Sequence, residues 1–165
     1  VLHHMNDPMG GWKILTDLLK PSGLMKIALY SELARQHIVE VRKKIILLRV
    51  GTSKSEIREF RRSLAESNEE SHQRLTKSND FFNLSTLRDL IFHVQEHRFT
   101  LLQIKNCLDE LGLKFCGFEN KDTISNFRRF HGKDADIYDL AQWHQYEENN
   151  PHAFAEMYQF WCQKL

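Results

Sequence analysis

Apolar residues recur along this chain in two patterns, one typical of amphipathic helices and one typical of covered strands. Where apolar side chains repeat every three or four positions, the spacing predicts helices over residues 11–20, 32–50, 53–64, 85–92, 101–111, 122–131 and 136–149. Continuous apolar or aromatic runs predict strands over residues 24–29, 113–118 and 154–162. Alternation of helices with apolar strands is typical of the α/β class.

Residues 1–31 predict a strand, a helix and a second strand in succession. Val1 and Leu2 have the character of a strand end, Pro21 ends the helix, and residues 24–29 form the second strand. Ser22 follows Pro21 in a turn that we expect to be type I, because that type accepts most residues. Two strands joined through one helix make a βαβ unit with parallel pairing. Such a unit covers neither its edge nor its faces, so we expect the chain to be the C-terminal part of a larger protein.

Residues 51–80 predict a helical and linker insertion. Ser53 and Glu56 have the spacing of a capping box, which starts a helix. Residues 66–80 are polar, and Leu75 is their only large apolar side chain, which predicts a linker. A second capping-box pair, Thr100 and Gln103, predicts that another helix begins at residue 101.

Charge and cysteine content exclude several classes of function. The net charge of +1 makes no electrostatic case for nucleic acid or an anionic membrane, and no apolar stretch is long enough to span a bilayer. The spacing of Cys107, Cys116 and Cys162 fits no zinc pattern, and an odd number argues against a disulfide framework. Reduced thiols that pack as small apolar groups fit a cytoplasmic protein.

Several short segments resemble one enzyme family. Val1–His4, Asp7–Pro8 and Leu18–Leu24 resemble the second half of a class I S-adenosylmethionine-dependent methyltransferase, with Ser22 in place of the usual first glycine. Residues 92–100 and 157–161 resemble the C-terminal region of bacterial methyltransferases that are often fused to tetratricopeptide repeats. The resemblance implies one partial domain over residues 1–165. That domain would be the C-terminal half of a Rossmann-like seven-stranded sheet with several added helices. Its last strand would be antiparallel and lie between the fifth and sixth strands.

The function that this resemblance implies is methyl transfer from S-adenosylmethionine in a parent protein. The methyl acceptor can be a protein, a nucleic acid or a small molecule, and a repeat domain of the same parent chain is a candidate partner. The family's glycine-rich loop and acidic residue, which hold the cofactor, are absent from this sequence. We therefore expect the chain alone to bind the cofactor weakly or not at all.

The candidate site residues fall at predicted strand ends. In an open α/β sheet, ligands bind at the carboxyl ends of strands, so Leu2, His3 and His4 are candidates for the cofactor crevice. Either histidine can instead serve only as a cap or a loop residue. Tyr30 and Ser31 end the next strand and are candidates for the substrate side, although Ser31 is equally suited to an N-cap. The sequence identifies no catalytic residue.

A second polar cluster lies between Phe92 and Phe99. It contains His93, Gln95, Glu96, His97 and Arg98, which we interpret as a substrate-side segment; the alternative is a hydrogen-bonded loop. The same residues match the H-x-x-E-H pattern of zinc proteases, which makes a zinc hydrolase a further alternative. We predict no metal site, because the helix at residue 101 begins after the motif.

A non-enzymatic alternative is a helical interaction module that docks a repeat domain or a second subunit. An exposed patch around Trp143, Tyr146 and Trp161 would favour it, although aromatic residues more often pack in cores.

Overall fold

A computed structural model describes residues 1–93 and 95–165 and confirms the α/β class. The chain divides into a sheet unit, Val1–Ala34 with Gln95–Leu165, and a helical unit, Arg35–Val94. The helical unit is wider than the insertion predicted over residues 51–80.

The described residues form eight α-helices and four strands. The helices are α1 (Pro8–Leu18), α2 (Gln36–Leu48), α3 (Lys54–Glu66), α4 (Glu70–Thr76), α5 (Leu84–Phe92), α6 (Leu101–Glu110), α7 (Lys121–His131) and α8 (Leu140–Asn149). The strands are β1 (Leu24–Ser31), β2 (Arg98–Phe99), β3 (Leu113–Phe118) and β4 (Tyr158–Lys164). Short 3₁₀ helices span Leu2–His4 and Asn79–Phe81.

The four strands form one mixed sheet in the order β2-β1-β4-β3. The last strand, β4, pairs antiparallel with both β1 and β3, so those two strands run parallel to each other. The predicted antiparallel last strand between two others is therefore confirmed. The two-residue strand β2, which the apolar pattern did not predict, pairs parallel with the end of β1.

One face of this sheet carries the apolar core of the sheet unit. Ile27 and Leu29 of β1 are buried beside Tyr158 and Phe160 of β4. Side chains of α6, α7 and α8 complete this core, and Trp143 stacks on Phe127 with 3.8 Å between ring centroids. Alternate residues of β4 point to the other face, where Trp161 is 39% exposed.

The predicted strand at Val1 and Leu2 is wrong. Leu2–His4 form a 3₁₀ turn, in which the His4 N–H donates to the Val1 carbonyl at 3.0 Å. The predicted βαβ unit is wrong as well, because the parallel neighbour of β1 is β2, far away in the sequence. A strand needs a neighbouring backbone for its hydrogen bonds, whereas this turn makes its own bonds within four residues.

The turn before β1 also differs from the prediction. Ser22 adopts a φ of 61°, and the Gly23 N–H donates to the Lys20 carbonyl at 2.8 Å. This left-handed backbone excludes the type I turn that we expected. A non-glycine residue in this region costs about 1–2 kcal/mol, so the serine is accommodated at some expense in stability.

In the helical unit, α2, α3 and α5 share a second apolar core that includes Ile38, Val41 and Leu64. The capping box of Ser53 and Glu56 is confirmed at the start of α3. The linker predicted over residues 66–80 is wrong, because α4 and a 3₁₀ turn occupy most of it and Leu75 is fully buried. The helix α4 buries His72 together with Leu75, and these two side chains attach it to the core.

Truncation of adjacent residues on β4 tests which face carries the core. Phe160→Ala removes a fully buried ring and should lower the free energy of unfolding by about 3–5 kcal/mol. Trp161→Ala, on the opposite face, should cause a clearly smaller loss. Urea denaturation followed by circular dichroism measures both, and equal losses would contradict the assignment of faces.

Candidate functional site

A cluster of rings lies at the carboxyl end of β1 in the sheet unit. The ring of Tyr30 lies 4.4 Å from that of His3 and 6.1 Å from that of His4, and the two imidazole rings are 4.3 Å apart. The 3₁₀ turn of Leu2–His4 presents both histidines beside the strand end. We call these three residues the ring cluster.

His3 is the buried member of the ring cluster, with 6% of its surface exposed. Burial is the largest cause that lowers its pKa, to about 4, and His4 acts in the same direction, while a hydrogen bond to the Ala28 backbone and the Glu96 carboxylate act in the opposite direction. The imidazole of His3 is therefore neutral at physiological pH.

The segment of residues 95–98 is attached by three hydrogen bonds to the 3₁₀ turn and to Met5, which follows it, and a fourth contact lies within the segment. The His97 N–H donates to the His3 carbonyl at 2.8 Å, and Nδ1 of His4 lies 2.9 Å from the Gln95 carbonyl oxygen. Nε2 of Gln95 donates to the Met5 carbonyl at 3.2 Å and lies 3.2 Å from Nε2 of His97. These contacts place His97 next to the ring cluster.

An ion pair lies beside the ring cluster, where β2 pairs with β1. Nε of Arg98 donates to a carboxylate oxygen of Glu32 at 3.0 Å, and its Nη1 lies 3.8 Å from the Glu96 carboxylate. The side chain of Glu96 is only 2% exposed. Arg98 pairs with Tyr30 in the strand register. The pairing of β2 with β1 therefore brings the Arg98 guanidinium and the nearby Glu96 carboxylate to the end of β1.

A fully buried carboxyl group lies directly behind the end of β1. Glu147 of α8 accepts hydrogen bonds from the Ser31 hydroxyl at 2.5 Å and from the Tyr158 hydroxyl at 2.6 Å. The Ser31 oxygen in turn accepts from the Ala34 N–H at 2.9 Å. Burial raises the pKa of Glu147, and the two hydroxyl donors oppose that shift. Burial together with the Glu147 carboxylate also raises the pKa of Tyr158.

The structure brings together most of the site residues that the sequence suggested. His3, His4, Tyr30, Glu96, His97 and Arg98 all lie around the end of β1. Ser31 is fully buried, and the predicted N-cap role is wrong, because Arg35 is the N-cap of α2 and, in the described part of the chain, Ser31 accepts only from the Ala34 N–H of the preceding turn. Leu2 belongs to the apolar core and does not line an open crevice of this unit. His93 belongs to the helical unit, where it is the C-cap of α5.

Two polar residues of this region were missed in the sequence, Glu32 and Glu147, whereas Gln95 belongs to the polar cluster that the sequence indicated. A signal for Glu147 exists, since Leu140, Trp143 and Glu147 follow the helical spacing of one buried face. The contacts of Gln95 were not predictable, because its partners His4 and Met5 lie far away in the sequence.

The zinc alternative gains no support from the described residues. Within residues 1–93 and 95–165, no group of three or more histidine, cysteine or acidic side chains is arranged to hold a metal ion. The H-x-x-E-H motif includes Val94, which lies outside the described residues, and α6 begins after the motif as predicted.

Of the three cysteines, Cys162 is buried as predicted, whereas Cys107 and Cys116 are half-buried. All three cysteines are free thiols, and burial raises the pKa of Cys162 to about 12 and also raises that of Cys107. Across the described part of the chain, we find no helix with the length and apolar character needed to cross a membrane.

Comparison with known proteins yields one informative similarity. No family model matches the chain. An uncharacterized protein of Synechococcus sp. (strain ATCC 27144 / PCC 6301 / SAUG 1402/1) is 26% identical over 157 residues, which cover 88% of this chain and 37% of that protein. The chain therefore corresponds to well under half the length of this curated relative, whose description states no activity.

The raised pKa of Glu147 predicts a pH-dependent stability. Between the ordinary carboxyl pKa of 4.5 and the higher value in the fold, the folded state holds a proton that the unfolded chain has released. Stability of the wild type should therefore fall as pH rises through this window, relative to Glu147→Gln. Urea titrations at several pH values measure the difference, and Glu148→Gln on the same helix controls for the loss of one carboxylate. A difference that rises with pH would contradict the dominance of burial.

The low pKa of His3 predicts the opposite trend at a separate position. The folded state excludes a proton that unfolded histidine binds below pH 6.5, so the contribution of His3 to stability is lost as pH falls from 6.5 to about 4. In an NMR titration, the His3 ring should titrate near pH 4. A midpoint near 6.5 would show that the ring is not buried as described.

Proposed function

We propose that this chain is part of an S-adenosylmethionine-dependent methyltransferase and forms the acceptor side of its site. The observation that carries the proposal is the arrangement of β1, β4 and β3. An antiparallel strand lies between two parallel ones, and the predicted polar residues gather at the carboxyl end of β1. The segments that resemble the methyltransferase family include the start of β1, part of β4 and the site residues His3, His4, Glu96, His97 and Arg98.

The open edge of β1 supports the finer part of this proposal. Among the described residues, β2 pairs only with Tyr30 and Ser31, at one end of this edge. We infer that a further parallel strand continues the sheet along the earlier residues of β1, in the Rossmann-like order that the resemblance implies. The chain would then be the C-terminal half of a seven-stranded sheet.

The residues present fit one side of such a site. When bound, S-adenosylmethionine supplies an electrophilic methyl group on a sulfonium centre. Tyr30 and His4 provide aromatic surface at the strand end, and Arg98 and Glu32 hold a charged pair next to it. We propose that this chain positions the methyl acceptor, since correct placement of two reactants accounts for much of the rate of such transfers.

A second candidate function is a docking module for another protein segment. Trp143 and Tyr146 are buried, so the exposed aromatic patch that would have favoured this function does not form. A different feature favours it: Ile46, Leu47 and Leu48 of α2 are consecutive and 58–80% exposed. Exposed apolar runs of this kind mark protein contacts in many soluble proteins.

Calorimetric titration with S-adenosylmethionine tests the methyltransferase proposal. The protein encoded by the complete open reading frame that contains this chain should bind in the micromolar range, whereas the chain alone should bind weakly or not at all. His4→Ala should weaken binding in the complete protein, and the exposed His152→Ala is the matched control. Absence of binding by the complete protein would overturn the proposal.

A further inference from the structure

The net charge of the whole chain conceals an uneven distribution between its two units. The helical unit, Arg35–Val94, contains twelve lysine and arginine residues and eight acidic residues, which gives a formal charge of +4. The sheet unit contains eleven basic and fourteen acidic residues, which gives a formal charge of −3. The net charge of +1, which made no electrostatic case for an anionic partner, therefore does not describe the helical unit.

Part of this positive charge lies on one face of α3. Four basic residues recur at spacings of three and four along this helix, which places their side chains on the same face. They are Lys54, Arg58, Arg61 and Arg62. From the first to the last of them, the face extends about 12 Å along the helix axis.

Two neighbouring cavities bring this face of α3 together with α5. A cavity of about 290 Å³ is lined in part by Lys54, Arg58 and Arg88 of α5. A cavity of about 310 Å³ is lined in part by Arg58, Arg61 and Arg62. Arg58 lines both cavities, and none of the described residues that line them is acidic. We call Lys54, Arg58, Arg61, Arg62 and Arg88 the basic surface.

The protein does not neutralise the basic surface with its own carboxylates. Within residues 1–93 and 95–165, no acidic side chain forms an ion pair with any of its five members. Glu66 follows Arg62 by four positions, a spacing at which opposite charges pair on a helix, and yet the two do not pair here. Arg58 has a like charge four positions away on either side, which destabilises the helix. Binding of an external anion would relieve this repulsion.

An exposed aromatic ring lies beside the basic surface. Nη1 of Arg61 donates to the Phe82 carbonyl at 3.2 Å, which attaches the segment before α5 to α3. The Phe82 side chain is 72% exposed, and the buried ring of Phe81 lies 5.8 Å from its ring at an angle of 89°. Exposed aromatic rings next to basic side chains are the platforms on which proteins stack the bases of single-stranded nucleic acids.

We propose that the helical unit binds a single strand of nucleic acid, with its phosphates on the basic surface and one base stacked on Phe82. Four of the five cations are arginines, whose planar guanidinium group forms paired hydrogen bonds with phosphate oxygens. A duplex presents the same phosphates, but its bases are stacked on each other and leave no free base face for Phe82. Nucleic-acid binding by the helical unit does not require methyl transfer by the sheet unit, so either function can be absent without the other.

Fluorescence anisotropy with a labelled single-stranded RNA tests the role of the basic surface in the full chain. An oligonucleotide of about 16 nucleotides should bind, and the logarithm of its affinity should fall with the logarithm of salt concentration with a slope of about −3.5. Arg58→Gln combined with Arg62→Gln should weaken binding and reduce this slope by about 1.4, because two phosphate contacts are lost.

The matched control removes the same charge elsewhere in the helical unit. Lys43→Gln combined with Lys77→Gln changes two exposed lysines that line neither cavity, and it should leave affinity and slope close to those of the wild type. Equal losses in the two double variants would overturn the proposal, as would absence of binding to the wild-type chain.

A second comparison tests the stacked base. Phe82→Ala should weaken binding of the single strand roughly tenfold and leave the salt dependence unchanged. Phe130→Ala, which removes a ring of the sheet unit that is 49% exposed, should have no effect. An RNA duplex of the same sequence should bind more weakly than the single strand. Tighter binding of the duplex, or binding to phosphatidylserine vesicles with none to the single strand, would overturn the proposal.

Discussion

Pairing of β4 with two strands at once is the constraint on which the sheet unit depends. It is the last strand in the sequence, and it supplies the antiparallel partner for both β1 and β3. Its C-terminal end also holds the turn before β1. The main chain of Lys164 exchanges hydrogen bonds with Ser22 and Gly23, and its ammonium donates to the carbonyls of Thr16 and Leu19. The position of β1, and of the polar residues at its end, therefore follows from the far end of the chain.

Glu147 connects this sheet to α8. Burying a charged carboxylate costs on the order of several kcal/mol of desolvation free energy. Hydrogen bonds from two hydroxyl donors offset only part of that cost. The two hydroxyls come from different strands, Ser31 of β1 and Tyr158 of β4. A group that is expensive to bury but satisfied by both strands gives the helix one defined position against them. The residues next to Ser31 are therefore held in a defined position as well.

The ring cluster is assembled mainly by main-chain contacts. The His97 N–H and the Gln95 carbonyl bond to the turn of Leu2–His4, and the Glu32 N–H donates to the Phe99 carbonyl at 2.9 Å. Hydrogen bonds of main-chain groups cannot be predicted from residue type, and they change little when side chains are substituted. The geometry of the imidazoles thus depends on how two distant segments meet, which is a property of the fold and not of either segment.

The sequence by itself determined the elements whose cause is local. Apolar spacing determined α2, α3, α5 and α6, capping pairs determined where α3 and α6 begin, and aromatic runs determined β3 and most of β4. The position of β4 between its neighbours was expected from a resemblance, and the polar residues of the site were found by their clustering.

Only the tertiary structure decided the rest. Leu2–His4 form a turn because no strand pairs with them, and Leu75 orders a helix because a core lies within reach. Glu147 and Gln95 matter because of partners far away in the sequence. A residue's own spacing carries information about its neighbours along the chain, but hydrogen-bond partners separated by ninety or more positions exist only once the chain has folded.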